Sequence, residues 1–207
     1  MTKLRKLRTF VQDMTRLIDT VGTDNRADEA HILQAGQEAM KSLVATDDWL
    51  PEAFSQPHPE YYQQYLLYCD PHERLSVVSF VWGPGQNTPV HNHTVWGVIG
   101  MLRGSETCQN YAPSPNEGPL VSTDQLSLRP GDVTVVSPTV GDIHRVGNAL
   151  SDRPSISIHA YGANIGAVSR HVFDPEQGTR KPFVSGYANA ELPNIWGRAE
   201  DVRATLA

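Results

Sequence analysis

The spacing of the apolar positions changes along the chain and divides it into a helical part and a β-rich part. Over residues 4–19, apolar side chains recur every three or four residues, which predicts an amphipathic helix. Residues 26–44 repeat this spacing and carry acidic residues in the first turn, as is typical of a second helix. Residues 47–68 are polar and contain prolines, and we interpret them as a short helix and loops.

From about residue 75 the apolar residues form short runs rich in β-branched side chains. The runs are LSVVSFVW, HTVWGVIGML, DQLSLRPGDVTVVSP, HRVGNA, PSISIHAYG and SRHVFD, and Gly, Pro, Asn and Asp separate them. Short strands at regular spacing with turn residues between them predict a sandwich or barrel. We therefore expect one mainly β domain over residues 1–207, with residues 1–70 mostly helical, residues 71–190 a barrel and residues 191–207 a C-terminal tail.

The composition argues against several classes of protein. The chain has 207 residues, enough for a substantial core, and its net charge of -6 comes from interspersed charges rather than the basic face of a nucleic-acid binder. No apolar run approaches the roughly twenty residues of a membrane span, and the basic N-terminus lacks the apolar stretch of a signal peptide. The two cysteines, Cys69 and Cys108, do not make a disulfide framework, so we expect a reducing cytoplasm.

Three histidines are the candidate metal ligands. His91 and His93 are two residues apart, so on a strand both imidazoles project from the same face. His144, from a neighbouring strand, would complete a facial set. Three neutral nitrogens leave coordination positions open for a substrate and for oxygen. The alternative interpretation is three surface histidines in turns.

The two histidine segments resemble the two cupin motifs, which makes that alternative a poor one. The first motif matches at Gly85, His91, His93 and Gly104, but Gly97 stands where the motif has a glutamate. The second motif is matched, with an extra residue on either side of its proline, at Gly131, Pro138, Gly141, His144 and Asn148. The resemblance implies a jelly-roll-like cupin β-barrel behind a small helical N-terminal part. The missing glutamate implies a three-histidine site without a carboxylate ligand.

Within the cupins, the chain resembles the thiol dioxygenases of the cysteine dioxygenase family over nearly its whole length. Ser157, His159 and Tyr161 share one face of a strand, and their side chains can form a hydrogen-bonded relay that ends at the metal. The family has the same Ser-His-Tyr relay. The alternative is an ordinary alternating strand with a satisfied core histidine. The resemblance implies Fe(II) as cofactor and a small thiol and O2 as substrates, with both oxygen atoms added to sulfur.

The chain departs from the mammalian-type members of this family at two places. Those enzymes carry a cysteine after the histidine pair that is cross-linked to the relay tyrosine; here Gly97 and Val98 stand nearby, so we expect no thioether. They also carry an upstream arginine for the substrate carboxylate, and Gln64 stands at that position. This resembles the bacterial Gln-type branch, the 3-mercaptopropionate dioxygenases.

In that branch a carboxylate-binding arginine comes from a later segment, and Arg170 is the candidate here. Gln64 is expected to line the substrate pocket as a neutral hydrogen-bond donor. The alternatives are a surface ion pair of Arg170, for example with Asp174, and a Gln64 on the solvated face of a short helix. The resemblance implies 3-mercaptopropionate as the first substrate and L-cysteine as the second. A cupin oxygenase or isomerase with a non-thiol substrate, and a non-catalytic cupin that stores or senses metal or small ligands, are further alternatives. We expect no nucleic-acid or membrane partner, and the sequence leaves the oligomeric state open.

Overall fold

Two helices precede the strands in the chain and form one layer of the fold. The computed structural model describes residues 4–20, 26–115, 118–189 and 199–206. Helix α1 (Arg5–Thr20) and helix α2 (Arg26–Val44) follow the apolar spacing of the sequence, and α1 buries Phe10, Met14 and Ile18. Both predicted N-terminal helices are confirmed. No helix among the described residues is long and apolar enough to cross a membrane.

Antiparallel strands make up most of the rest of the described fold. Their bounds are β1 (Gln63–Cys69), β2 (Ser76–Trp82), β3 (Val90–His91), β4 (Gly97–Arg103), β5 (Glu106–Ala112), β6 (Val121–Leu128), β7 (Val133–Val136), β8 (Ile143–Asn148), β9 (Ser155–Tyr161), β10 (Arg170–Phe173) and β11 (Arg180–Phe183). They form a five-stranded sheet in the order β1-β2-β9-β4-β7 and a six-stranded sheet in the order β11-β10-β3-β8-β5-β6. Short 3-10 helices cover Glu52–Phe54 and Ile165–Ala167, and helix α3 covers Ala199–Ala204.

Strand β1 corrects the interpretation of residues 47–68 as a short helix and loops. The 3-10 helix at Glu52–Phe54 is the short helix, but residues 63–69 pair with β2, so the sheet begins inside the part expected to be mostly helical. Gln64 and Leu66 are buried on one face of β1, while Tyr65 and Leu67 are half-buried on the other. The paired glutamines hid this alternation, because a buried glutamine looks like a surface residue in a sequence pattern.

Strand β9 separates two hydrophobic cores. It lies between β2 and β4, and every one of its residues is buried. Ile156, Ile158 and Ala160 pack in a core with the two N-terminal helices. The alternate residues face the space between the sheets, where a second core joins Val78 of one sheet to Val146 of the other. The helices therefore cover the outer face of the sheet whose inner face carries the candidate relay.

The chain after β11 returns to the first sheet and borders the interior. The backbone N–H of Ala188 donates to the carbonyl of Gln64 at 2.8 Å, and Asn189 accepts from the backbone N–H of Leu66 at 2.8 Å. From α3, Arg203 donates to the carbonyl oxygens of Val184 at 3.2 Å and Ser185 at 3.0 Å. These contacts fix residues 184–189 beside β1.

Candidate metal centre

The three predicted histidine ligands lie together between the sheets. His91 ends β3 and is paired in register with His144 of β8, and His93 follows two residues after His91. One ligand nitrogen from each ring lies within 4.8 Å of the others, and all three side chains are buried. Strand pairing therefore brings together residues that are far apart in the sequence.

In each of these three rings, the Nδ1 atom lies within hydrogen-bond distance of a neighbouring group. His91 Nδ1 lies 3.1 Å from the carbonyl oxygen of Pro89, and His93 Nδ1 lies 2.9 Å from a carboxylate oxygen of Asp142. His144 Nδ1 lies 3.3 Å from the Cys108 thiol. A carbonyl or carboxylate oxygen only accepts, so at His91 and His93 the Nδ1 carries the proton. The Nε2 atoms then have free lone pairs, which is the usual arrangement of a metal-binding histidine and its supporting partner.

The sequence analysis did not identify two of these supporting residues. Asp142 also accepts the backbone N–H groups of His93 at 3.0 Å and Thr94 at 2.9 Å. Its position two residues before His144 in the second motif was a usable signal. Cys108 comes from β5, next to β8, and its position in the sequence gave no indication of this contact.

The protonation states also suit a metal. Burial lowers the pKa of His91 and His93 well below the usual value, and it lowers the pKa of His144 to about 4. All three imidazoles are therefore neutral near pH 7, the form that binds a metal ion. The donor set fits a divalent transition metal, and imidazole nitrogens accept iron, zinc, copper and nickel alike.

The three predicted relay residues are hydrogen-bonded to one another. Ser157 Oγ lies 2.8 Å from His159 Nε2, and His159 Nδ1 lies 2.7 Å from the Tyr161 hydroxyl. The Tyr161 ring stacks on His93 at a centroid distance of 5.4 Å. The relay thus ends beside a candidate ligand. Burial raises the pKa of Tyr161, so its hydroxyl stays protonated and can donate.

Gly97 lies against the ring of Tyr161. The two residues are a cross-strand pair of β4 and β9. A Cβ atom added at Gly97 would lie 2.8 Å from two carbons of the Tyr161 ring and 2.9 Å from Val136. Val98, in contrast, packs in the core with the helices. Position 97 is therefore the one that faces the relay tyrosine, and only glycine fits there without moving the ring.

Arg170 is a buried cation beside the histidines. It opens β10, which pairs with β3, and only 3% of its surface is exposed. It donates to Ser185 Oγ at 2.6 Å and lies 4.6 Å above the ring of Phe183. Its Nε has no hydrogen-bond partner, and it makes no salt bridge within the described ranges. The alternative of a surface ion pair with Asp174 does not hold for this geometry.

Gln64 is buried on β1 rather than solvated on a helix. Its side-chain amide donates to Ser185 Oγ at 3.2 Å and to the carbonyl oxygen of Gly186 at 2.9 Å. Both amide protons are thus used within the protein. Ser185 connects Gln64 to Arg170, and its place after the last strand gave no signal in the sequence.

Two facing antiparallel sheets with three convergent histidines define a metal-binding barrel of the cupin class. The family model for cysteine dioxygenase type I matches residues 1–175, so this chain belongs to that family. Membership identifies the chain as a thiol dioxygenase of the cupin type.

Solved structures similar to this chain include the following three, of which the second and third are named as cupins. The protein TT1209 from Thermus thermophilus is 18% identical with a TM-score of 0.42, over 54% of this chain and 92% of that one. A cupin superfamily protein from Desulfitobacterium hafniense is 13% identical with a TM-score of 0.42, over 55% of this chain and 89% of that one. A Cupin 2 conserved barrel domain protein from Salinispora arenicola is 17% identical with a TM-score of 0.39, over 54% and 83%.

Proposed function

We propose that this chain is an iron-dependent dioxygenase that converts 3-mercaptopropionate and O2 into the corresponding sulfinate. The observation that carries the proposal is Arg170, a buried guanidinium without a carboxylate partner among the described residues, on the strand next to His91. A buried charge without a counter-ion is strongly unfavourable, so this position favours a bound anion. A thiol carboxylate would supply that anion.

His91, His93 and His144 would hold the iron. Their neutral rings leave the charge of a divalent ion uncompensated, which favours an anionic thiolate as a further ligand. Iron held there would bring a thiolate and O2 together, so that both oxygen atoms could be added to sulfur. The choice of iron rests on the family, because these donors also suit other metals.

The protein side chains orient the substrate and move protons. Arg170 binds the carboxylate through Nε and its remaining N–H groups, and Ser185 holds the guanidinium in place. Gln64 acts through Ser185 and positions this arginine. Tyr161 donates a hydrogen bond toward the reacting sulfur and oxygen atoms, and His159 fixes the phenol and passes a proton.

The preference for 3-mercaptopropionate over L-cysteine rests on charge. Cysteine carries an ammonium group that would need an anionic partner in the same buried pocket. Asp142 is the candidate carboxylate for binding this ammonium group. It already accepts hydrogen bonds from the His93 ring and from two backbone N–H groups. L-cysteine is the second candidate substrate, and the description of the matching family favours it. The two free, buried cysteines support a reducing, cytoplasmic location.

The test is oxygen consumption by the iron-loaded protein with 3-mercaptopropionate and L-cysteine side by side, with the product identified by mass. We expect sulfinate from both thiols and at least a tenfold higher kcat/KM for 3-mercaptopropionate. A higher kcat/KM for L-cysteine would agree with thiol dioxygenation but contradict the preference argued from the ammonium charge. No sulfinate from either thiol, with iron bound, would contradict the proposed function.

A further inference from the structure

Glu106 is a fully buried carboxyl group that the proposed chemistry leaves without a role. It is the first residue of β5, and none of its surface is exposed. Ser155 Oγ donates to Glu106 Oε1 at 3.4 Å, and Glu106 Oε2 has no hydrogen-bond partner in the described part of the chain. Buried carboxyl groups that are neither paired nor fully hydrogen-bonded are rare and call for an explanation.

The Glu106 carboxyl lies at the Ser157 end of the relay, opposite Tyr161. Ser155, Ser157, His159 and Tyr161 all project from the inner face of β9, since they are two residues apart. Ser155 hydrogen-bonds the Glu106 carboxyl, and Ser157 lies close enough to this carboxyl to lower its pKa. A line of hydrogen bonds therefore runs from the Tyr161 hydroxyl through His159 to Ser157, and the Glu106 carboxyl lies beside Ser157 at the end of this line.

Glu106 also lines a cavity that reaches the protein surface, which we call the relay cavity. Its volume is about 320 Å³, and its buried wall includes Ile99, Glu106 and His159. Exposed residues at its rim include Thr123 and Asp124. A space of this size with polar groups on its wall accommodates several water molecules.

We propose that Glu106 is the terminal proton acceptor of the Ser157–His159–Tyr161 relay and that the relay cavity is its outlet to solvent. This inference rests on the proposed function, because the proton it moves is that of the substrate thiol. It adds a proton-accepting residue on β5 to a relay that otherwise lies on β9 alone.

The transfer balances atom by atom. The S–H bond of the thiol breaks, and its proton goes to the Tyr161 oxygen while the Tyr161 proton goes to His159 Nδ1. His159 Nε2 gives its proton to Ser157 Oγ, and the Ser157 hydroxyl proton goes to the Glu106 carboxylate. Each relay group gains one proton and loses one, so only the thiol and Glu106 change charge. The Glu106 proton then leaves to water in the relay cavity, and no electrons are exchanged.

The titration of Glu106 agrees with this role. Burial raises the pKa of Glu106 to about 8, against the opposing effect of the nearby Ser157 and Ser155 hydroxyl groups. A proton acceptor works best when its pKa lies near the working pH. The other titratable groups along the relay cavity are Cys108 and Tyr111 on β5, Asp124 on β6, Asp142 before β8, His144 on β8 and His159 on β9.

Three of those groups are neutral near pH 8. Burial raises the pKa of Cys108 to about 12 and lowers the pKa of both His144 and His159. Asp124 at the exposed rim is charged, because a hydrogen bond from Asn110 lowers its pKa. Burial also raises the pKa of Asp142, so the Glu106→Gln variant decides whether a change of activity near pH 8 belongs to Glu106.

The first test is the pH profile of kcat/KM for 3-mercaptopropionate. The wild type is expected to gain activity as the pH rises to about 8. Glu106→Gln should lose this rise and at least tenfold of kcat/KM at pH 8.5, while Glu106→Asp keeps a rise because it retains a carboxylate. Asp124→Asn makes the same chemical change on the same cavity and should keep the wild-type profile. An unchanged rise in Glu106→Gln would overturn the inference, as would an equal loss in Asp124→Asn.

The second test needs neither iron nor turnover. The infrared carbonyl band of a protonated carboxyl should disappear with a midpoint near pH 8 in the metal-free wild type and should be missing from Glu106→Gln. A wild-type midpoint near pH 4 would overturn the inference. If the wild type forms sulfinate and Glu106→Gln keeps its profile, the relay inference alone is wrong. If the wild type forms no sulfinate, the proposed function falls, and the inference falls with it.

Discussion

At the scale of single residues, Arg170 is a cation whose hydrogen bond to Ser185 leaves its charge uncompensated. Arg170→Ala should raise the KM for 3-mercaptopropionate by about 10- to 100-fold, because hydrogen bonds to a charged group contribute roughly 1.5–3 kcal/mol each. Turnover of cysteamine, which has no carboxylate, should not change. Steady-state kinetics with both thiols check this, with the exposed Arg180→Ala as control. An equal loss for both thiols would indicate a structural role.

A second prediction at the residue scale concerns Gly97, whose lack of a side chain leaves room for the Tyr161 ring. Gly97→Ala introduces a carbon 2.8 Å from the Tyr161 ring, so the ring must move away from His93. We expect kcat to fall by at least tenfold with iron content retained, measured by turnover and metal analysis. Gly36→Ala is the matched control, since its added carbon would meet Val98 and Met14 in the other core. Full activity in Gly97→Ala would show that the ring position does not matter.

Glu106 also links stability to pH. Its folded-state pKa of about 8 lies above the usual 4.5, so the unfolded chain loses this proton first as the pH rises. The free energy of unfolding therefore falls between about pH 4.5 and 8, by about 5 kcal/mol at most from this group. Glu106→Gln should remove this fall, so its stability relative to the wild type should grow from pH 5 to pH 8.5 in urea unfolding. A constant difference would contradict the raised pKa.

The sequence predicted those functional residues whose arrangement follows from their short spacing along one strand. His91 and His93, like the alternating residues of β9, are two positions apart, and strand geometry alone places them on one face. Asp142, Cys108 and Ser185 support these residues from other strands and loops. Their contacts depend on how the sheets pair and face each other, which a single sequence does not specify.

At the scale of elements, β9 has one face in each of two cores, and the two faces should respond differently to substitution. Ile158→Ala on the helix side should lower the free energy of unfolding by roughly 2–5 kcal/mol with kcat retained. Ser157→Ala on the inner side should lower kcat at least tenfold and stability by only about 1 kcal/mol. Urea unfolding and turnover on the same preparations separate the two. A large kcat loss in folded Ile158→Ala would contradict this division.

The elements were predicted from periodicity with unequal success. The two helices and strands β2, β4 and β6 to β10 lie where the apolar pattern placed them, whereas β3, β5 and β11 fall outside the predicted runs. Strand β1 was missed because Gln63 and Gln64 replace the apolar residues expected at the start of a buried strand. The burial of Gln64 follows from Ser185 and Gly186, which accept its amide protons from more than a hundred residues away.

At the scale of the whole molecule, the C-terminal helix is connected to the proposed substrate-binding residue Arg170. Arg203 holds the carbonyl groups of Val184 and Ser185, and the Ser185 hydroxyl holds Arg170. Arg203→Ala should raise the KM for 3-mercaptopropionate by about two- to tenfold with kcat retained, since losing the hydrogen bonds that fix Ser185 should weaken carboxylate binding by about 0.5–1.5 kcal/mol. Arg129→Ala is the control, and kinetics at constant iron content are the measurement. No change in KM would show that Ser185 keeps its position without α3.

The absence of a side chain at Gly97 has a consequence for how the protein reaches its final form. Tyr161 is held by packing against its neighbours, and no thiol at position 97 is available to bond to it. Every molecule that leaves the ribosome therefore already has the covalent structure of the mature enzyme at this site. A preparation should run as a single band on a denaturing gel, have the mass that its sequence gives and start turnover without a lag.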